Sequence, residues 1–500
     1  MSGAYAELCR RERERMVLAS CAGLLAWDER TYLPPRGVAH RGEQLALLAR
    51  LCHERISAPA LAELVAQAAD EVPADSPEAA NVREIRRHHE RAVRVPARLV
   101  EELARATSQG QQAWEEAKRT DDFALFRPHL ARLMELKREE AMAIGAPSGE
   151  WYDALLDEYE PGLTANHVAQ VFGELRTALA PLVEAVRAAP RQAPVELLQR
   201  RFPIDRQKLL VEMVAAAIGF DFTAGRLDVT VHPFCSGHGP GDVRLTTRYN
   251  EQHLNEALFG TLHEAGHGIY EQNLPVEHAG LPLGTACSLG VHESQSRLWE
   301  NFIGRSRPFW SWLFPFVQGL FPQALAGVIL DDFHFAVNDV RPSFIRIEAD
   351  EVTYNLHIIL RFELERDLIR GDLAPADLPA AWNEKFAKTL GLRPTSDAVG
   401  CLQDVHWSAG LVGYFPTYTL GNLLAAQLME QARHDLSDLS ADCERGHFAP
   451  LKDWLVDRVH RHGQRWRPTE LCRQATGHDL VARPLLDHLG GKLRVLYDVE

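Results

Sequence analysis

Residues His263-Glu264-Ala265-Gly266-His267 set two imidazoles four positions apart around a glutamate, inside a run, Asn255 to Leu262, that reads as helix. Positions i and i+4 project from one helical face a turn apart, so both rings can meet a single tetrahedral ion at about 2.0–2.1 Å. That ion is expected to be zinc. Glu264 stays free beside the fourth metal position, placed to take a proton from a bound water whose pKa the ion lowers to about 7. The bland alternative is an exposed polar face on which two histidines align. Against it, Leu254, Leu258, Leu262, Ala265 and Ile269 form an apolar stripe next to the pair, which predicts a helix buried on one side and ended by Pro275.

Two histidines leave a catalytic zinc one protein ligand short, and a carboxylate from another helix is the usual completion. Glu293 is the candidate, in a predicted helix Val291 to Glu300 that follows a Gly/Pro-containing loop. A lone helical glutamate is usually solvated, but His292 and Gln295 make this patch unusually polar before Leu298 and Trp299. Glu300, on roughly the same face, is either an acceptor behind the ligands or a surface residue.

A second polar stripe, Arg346, Asp350, Tyr354, His357 and Arg361, is expected on a helix from about Ser343 to Arg370 that is otherwise apolar. It reads either as an Arg346–Asp350 ion pair or as a groove wall whose arginine binds a peptide carboxylate. The segment Gly400 to Trp407, followed by Tyr414 and Tyr418, adds His and Tyr donors. Such a donor aimed at the negative charge of an attacked carbonyl is worth about 3 kcal/mol, although helical tyrosines are more often core.

These groups need a scaffold. The chain of 500 residues has level composition and no long flexible linker, and reads as a single peptidase unit, 1–500, with subdomains. Residues 1–190 read as successive amphipathic helices, an N-terminal half suited to form a wall or lid; a proline-containing loop, Ala188 to Pro203, separates them from the half bearing the motif, 204–500. There a helix is expected around Lys208 to Ile218. Alternating segments Arg226 to Val231 and Asp242 to Tyr249 predict short strands, whose edge suits β-addition of an extended peptide. The fold class is thus mainly α, with a small β-sheet beside the zinc helix. The formal net charge of -15 argues against nucleic acid or an anionic membrane as partner. Eight scattered cysteines without a C-x-x-C pair suit reduced thiols, no apolar run has the length of a membrane span, and the charged N-terminus is followed by no cleavable apolar region. A cytoplasmic enzyme is the expectation.

Taken in order, the motifs resemble one family over the whole chain: the M32 metallocarboxypeptidases, of the thermostable carboxypeptidase type. The matching segments are His232-Pro233-Phe234, Asp242 to Thr246, His263 to His267, His292-Glu293-Ser294-Gln295, Ile345 to Asp350 and Gly400 to Trp407. Trp27-Asp28 with Thr31 and Pro34, Tyr152 to Gly162, and Arg461-His462-Gly463 also look like this family. The resemblance implies a large helical fold with a deep substrate groove, a homodimer, and removal of single C-terminal residues from peptides with Zn2+ or Co2+. By position it implies metal ligands His263, His267 and Glu293, and Glu264 as general base. It also implies a substrate role for Arg346, transition-state donors His406 and Tyr418 with Tyr414 competing, and His232 and Arg244 closing the far end of the groove.

Three other readings compete. An oligopeptidase on the same scaffold would cut internally. A di-iron carboxylate oxidoreductase would pair Glu264-x-x-His267 with Glu444-x-x-His447, but it leaves His263 without a task. A structural metal in a non-catalytic scaffold would want four protein ligands, often cysteines, and none are spaced for it.

Overall fold

The computed structural model describes residues 3–499. Helices dominate, and the one sheet among the described residues has three short strands. The chain divides into two compact units, each assembled from three separate stretches: Met1–Val93, Pro194–Val337 and Leu424–Asp479 in the first, Arg94–Ala193, Asn338–Leu423 and Leu480–Glu500 in the second.

In the first unit the long helix Ala4–Thr31 packs on Val38–Ile56 and Pro59–Glu71, burying Leu8, Ile56, Leu61 and Val65. The sheet follows: β1 (Gly225–Val229), β2 (Cys235–Gly237) and β3 (Val243–Thr247). The central strand β3 pairs parallel with β1 and antiparallel with β2. Alternation located β1 and β3 with ends off by one or two residues, whereas β2, three residues ending in glycine, is too short to alternate.

The helix bearing the motif, Leu254–Gln272, packs on β3 and on a second helix, Leu289–Arg297. Two glycines permit this. A Cβ on Gly266 would meet the backbone of Gln295 and Ser296 at 2.6 Å, and one on Gly268 would meet Phe220 at 2.7 Å and Leu245 at 2.8 Å. The first helix stops at Gln272, short of Pro275, because Asn273 folds back to donate its side-chain amide to the Ile269 carbonyl at 2.8 Å. The second starts at Ser288, whose hydroxyl accepts from the Val291 amide at 3.1 Å, and runs into a π-helical turn, Leu298–Ile303, where a continuous α-helix was expected.

In the second unit the helix Thr353–Arg370 is buried along nearly its whole length. It does not begin near Ser343. The Asp350 carboxylate accepts from the Val352 amide at 2.8 Å, the Thr353 amide at 2.9 Å and the Thr353 hydroxyl at 2.5 Å, so the chain enters the helix there and Arg346 sits upstream in a 3-10 turn, Arg346–Glu348. The expected Arg346–Asp350 pair is therefore replaced: Asp350 caps, and Arg346 is free to bond Asp404. The tip of the same segment anchors the last helix, Arg483–Tyr497, through Glu351, which accepts from His488 at 3.1 Å and from Lys492.

Because Gly266 lies backbone to backbone against the second helix, Gly266→Ala must push the two apart. The variant is expected to lose about 1–3 kcal/mol in denaturant unfolding, as overpacking does, and to bind metal poorly. A variant with wild-type stability and metal content shows that the close approach is not needed.

Candidate metal centre

All the groups of this centre belong to the first unit. His263 and His267 stand a turn apart on one helix and Glu293 comes from the next, and their ligand atoms lie within 4.8 Å of one another. Among the described residues no other group of three such side chains converges this way. The Glu293 Oε2 is 3.6 Å from His263 Nε2 and 3.4 Å from His267 Nε2. Each ring has its other nitrogen engaged: His263 Nδ1 bonds Glu300 Oε2 at 2.9 Å, and His267 Nδ1 bonds His292 Nδ1 at 2.5 Å. An ionised glutamate only accepts, so His263 carries a proton on Nδ1; burial pulls its pKa down, but Glu293 and Glu300 raise it on balance.

Charge is compensated around the set. Arg297 donates its Nε to Glu293 Oε1 at 2.7 Å and its Nη1 to Glu300 Oε2 at 3.1 Å. Against the penalty of burial, Arg297 and the histidines hold the Glu293 carboxyl well below the usual range, and Arg297 with His263 holds Glu300 at about 2. Burial and the neighbouring His292 push His267 down to about 3, so it stays neutral, as a ligand must. Two imidazoles and one carboxylate, with no fourth protein donor among the described residues, are the donor set of an open, catalytic divalent-metal site, and the residues fit that role.

Glu264, 7% exposed, has the opposite bias. Burial, with Glu293 and Glu300 nearby, pushes its carboxyl up to about 7 although His263 pulls it down. It is an ionisable group balanced near neutrality beside the ligands, which suits a base that must also give its proton back.

The structure also resolves what Glu300 does. It stands behind a ligand, presented from the π-helical turn, and is not a surface residue. Glu271 was not singled out by the sequence reading, although its position four residues beyond His267 continues the His263–His267 spacing. It accepts from His292 Nε2 at 2.8 Å. Of the other first-unit candidates, Arg244 donates to both Asp242 oxygens, at 2.7 and 2.9 Å, and lies 4.2 Å from the Trp27 ring centroid, while His232 is exposed in the bend between β1 and β2.

The second unit gathers the remaining candidates. Asp404 accepts from Arg346 Nε and Nη2 at 2.9 and 2.7 Å and from Arg361 Nε at 2.6 Å, and Arg346 Nη1 donates to Tyr354 at 3.1 Å. Two guanidiniums against one carboxylate leave this buried cluster with a surplus positive charge. His406 Nε2 bonds the Tyr418 hydroxyl at 3.1 Å, and burial with the two arginines pushes His406 down to about 3, which keeps it neutral. Tyr414 packs edge-on against Tyr418, with ring centroids 5.4 Å apart. The loop between His406 and Tyr414 is held by Glu365, fully buried, which accepts from Tyr152 at 2.6 Å, Trp407 Nε1 at 2.8 Å and the Gly413 amide at 2.8 Å.

Known proteins resemble this chain over nearly its whole length. The profile described as Carboxypeptidase Taq (M32) metallopeptidase matches residues 7–493. The thermostable carboxypeptidase 1 of Thermus thermophilus is 48% identical over 505 residues, 99% of each chain, and carboxypeptidase 1 of Bacillus subtilis is 40% identical over 482 residues, 96% of each. The crystal structure of an M32 carboxypeptidase from Deinococcus radiodurans R1 superposes with a TM-score of 0.95 at 43% identity, covering 99% of this chain and all of that one. With the family profile spanning nearly the whole chain and relatives matched end to end, this chain belongs to the M32 metallopeptidases.

Proposed function

We propose that the chain removes residues from peptide C-termini by hydrolysis that depends on a divalent ion held by His263, His267 and Glu293, with Glu264 as base. Membership of the family makes it a metallocarboxypeptidase, a peptide hydrolase. The observation that carries the residue assignment is the convergence of two imidazoles and a carboxylate within 4.8 Å, next to a buried glutamate on the same helix. When bound, the ion supplies Lewis-acid polarisation of the peptide carbonyl and an acidified water. Zinc is our assignment, with cobalt as substitute, since both accept a mixed nitrogen and oxygen set.

Glu264 takes a proton from the attacking water and hands it to the leaving amine. To His406 and Tyr418 we assign donation to the oxyanion, with Tyr414 competing. Neutral His406, hydrogen-bonded to Tyr418, has the protonation state that role needs. To Arg346 we assign the substrate's terminal carboxylate, supported by the surplus charge it shares with Arg361, and to Arg244 and His232 contacts further along the peptide. Eight free cysteines support a reducing compartment such as the cytoplasm, and no helix among the described residues is long and apolar enough to cross a membrane. A homodimer and a groove closed by the 1–190 half complete the proposal by analogy with the family.

The alternatives are not favoured. The matched relatives carry carboxypeptidase names, not oligopeptidase ones. Glu444 ends a helix of 6 residues and His447 Nδ1 turns to Asp442 at 3.4 Å, so no second Glu-x-x-His unit of a di-iron bundle forms.

Glu264→Gln is expected to keep one metal ion per chain while kcat falls by about 10²–10⁴-fold, with metal analysis and peptide hydrolysis read on one preparation; near-wild-type turnover removes the base. A base must be unprotonated, so kcat/KM should fall as pH drops through the Glu264 pKa. Burial sets that near 7, and the ion's charge moves it lower. A profile that stays flat from roughly pH 8 to 5 contradicts the assignment. Finally, a free-acid peptide should be cleaved far faster than its C-terminal amide, and Arg346→Met should erase the difference; equal wild-type rates on the two speak for internal cleavage.

A further inference from the structure

The two ligand histidines are supported differently. Behind His263 stands a carboxylate, Glu300, locked by Arg297. Behind His267 stands another histidine, and only behind that a carboxylate: His267 Nδ1 to His292 Nδ1 at 2.5 Å, His292 Nε2 to Glu271 Oε1 at 2.8 Å. The protons follow from the end of the chain. Glu271, when ionised, can only accept, so a neutral His292 carries its proton on Nε2 and its Nδ1 is an acceptor. His267 must then donate from Nδ1, which leaves its Nε2 lone pair toward Glu293.

We propose that His292 and Glu271 are a positioning relay that fixes the tautomer and ring orientation of His267, and that Gly237 on β2 is the space the relay requires. The inference rests on the metal-centre reading above. The surroundings are built for it. The ring of Tyr270, 5.3 Å from that of His292, walls it on one side and is itself fixed by the Cys287 amide, which donates to its hydroxyl at 3.0 Å. On the sheet side, a Cβ at Gly237 would stand 2.5 Å from Glu271 Oε2 and 3.0 Å from its carboxyl carbon. Gly237 has an ordinary backbone conformation, since it is not among the glycines of positive φ. Alanine therefore fits the strand there but displaces the carboxylate. That gives a way to disturb the relay without altering any of its polar groups.

The test compares wild type with His292→Phe, Glu271→Gln and Gly237→Ala by three measurements: zinc affinity by competition with a chromophoric chelator, the visible spectrum of the cobalt-loaded protein, and thermal unfolding of the chelator-treated protein. Loss of a partner behind a metal-ligating histidine typically weakens affinity about 10- to 100-fold. That range is expected for His292→Phe and Glu271→Gln, with a smaller loss in the same direction for Gly237→Ala, altered cobalt bands in all three, and unchanged unfolding of the metal-free proteins. Wild-type zinc affinity in both His292→Phe and Glu271→Gln overturns the relay. Wild-type affinity in Gly237→Ala overturns the role given to Gly237, and losses that track a lower metal-free unfolding temperature make the pair merely structural. A wild-type chain that takes up no zinc or cobalt defeats the metal-centre reading instead. Glu271 and His292 are both partly exposed, so Glu271→Gln and Gly237→Ala keep the test alive if His292→Phe fails to fold.

Discussion

Everything at the metal centre depends on two helices touching at Gly266. Side chains of His and Glu are short relative to the usual 8–10 Å between helix axes. Here the residue without a Cβ between Glu264 and His267 lets the two backbones touch, and the three ligand atoms from the two helices lie within 4.8 Å of one another. The same closeness buries Glu264, Glu293 and Glu300 together. Carboxylates so near one another would repel strongly in a medium of low polarity, and Arg297, reaching two of them, is what makes the cluster tolerable before any cation arrives.

Each unit holds its own buried cluster of charge. In the first, Arg297 pairs with Glu293 and Glu300, and Arg305 with Glu300, beside Glu264. In the second, Arg346 and Arg361 face Asp404 alone, an excess of positive charge.

Much of this was legible from residue order. The His263–His267 spacing and its apolar stripe located the metal helix, and the polar patch around His292 located Glu293. Local chemistry misled the reading where a cap outweighed periodicity: Asp350 starts the buried helix late, and Arg346, which looked like part of its stripe, is held by Asp404, 58 positions away. Such a partner has no signature in spacing. The π-helical turn that carries Glu300 was equally invisible, because one extra residue in a turn leaves hydrophobic order nearly unchanged. Roles for His406, Tyr418 and Arg244 came from likeness to a family, as nothing in their own neighbourhoods distinguishes them from core residues.

The chain passes from one compact unit to the other five times, and pieces of both, Leu424–Asp479 and Leu480–Glu500, are synthesised well after the segment that bears His263, His267 and Glu293. Neither unit exists as a continuous fragment. A ribosome making this protein must therefore hold the ligand-bearing segment for more than a hundred residues with its apolar faces incompletely covered, so that the nascent chain depends on late closure, and on whatever shields it meanwhile, to avoid aggregation.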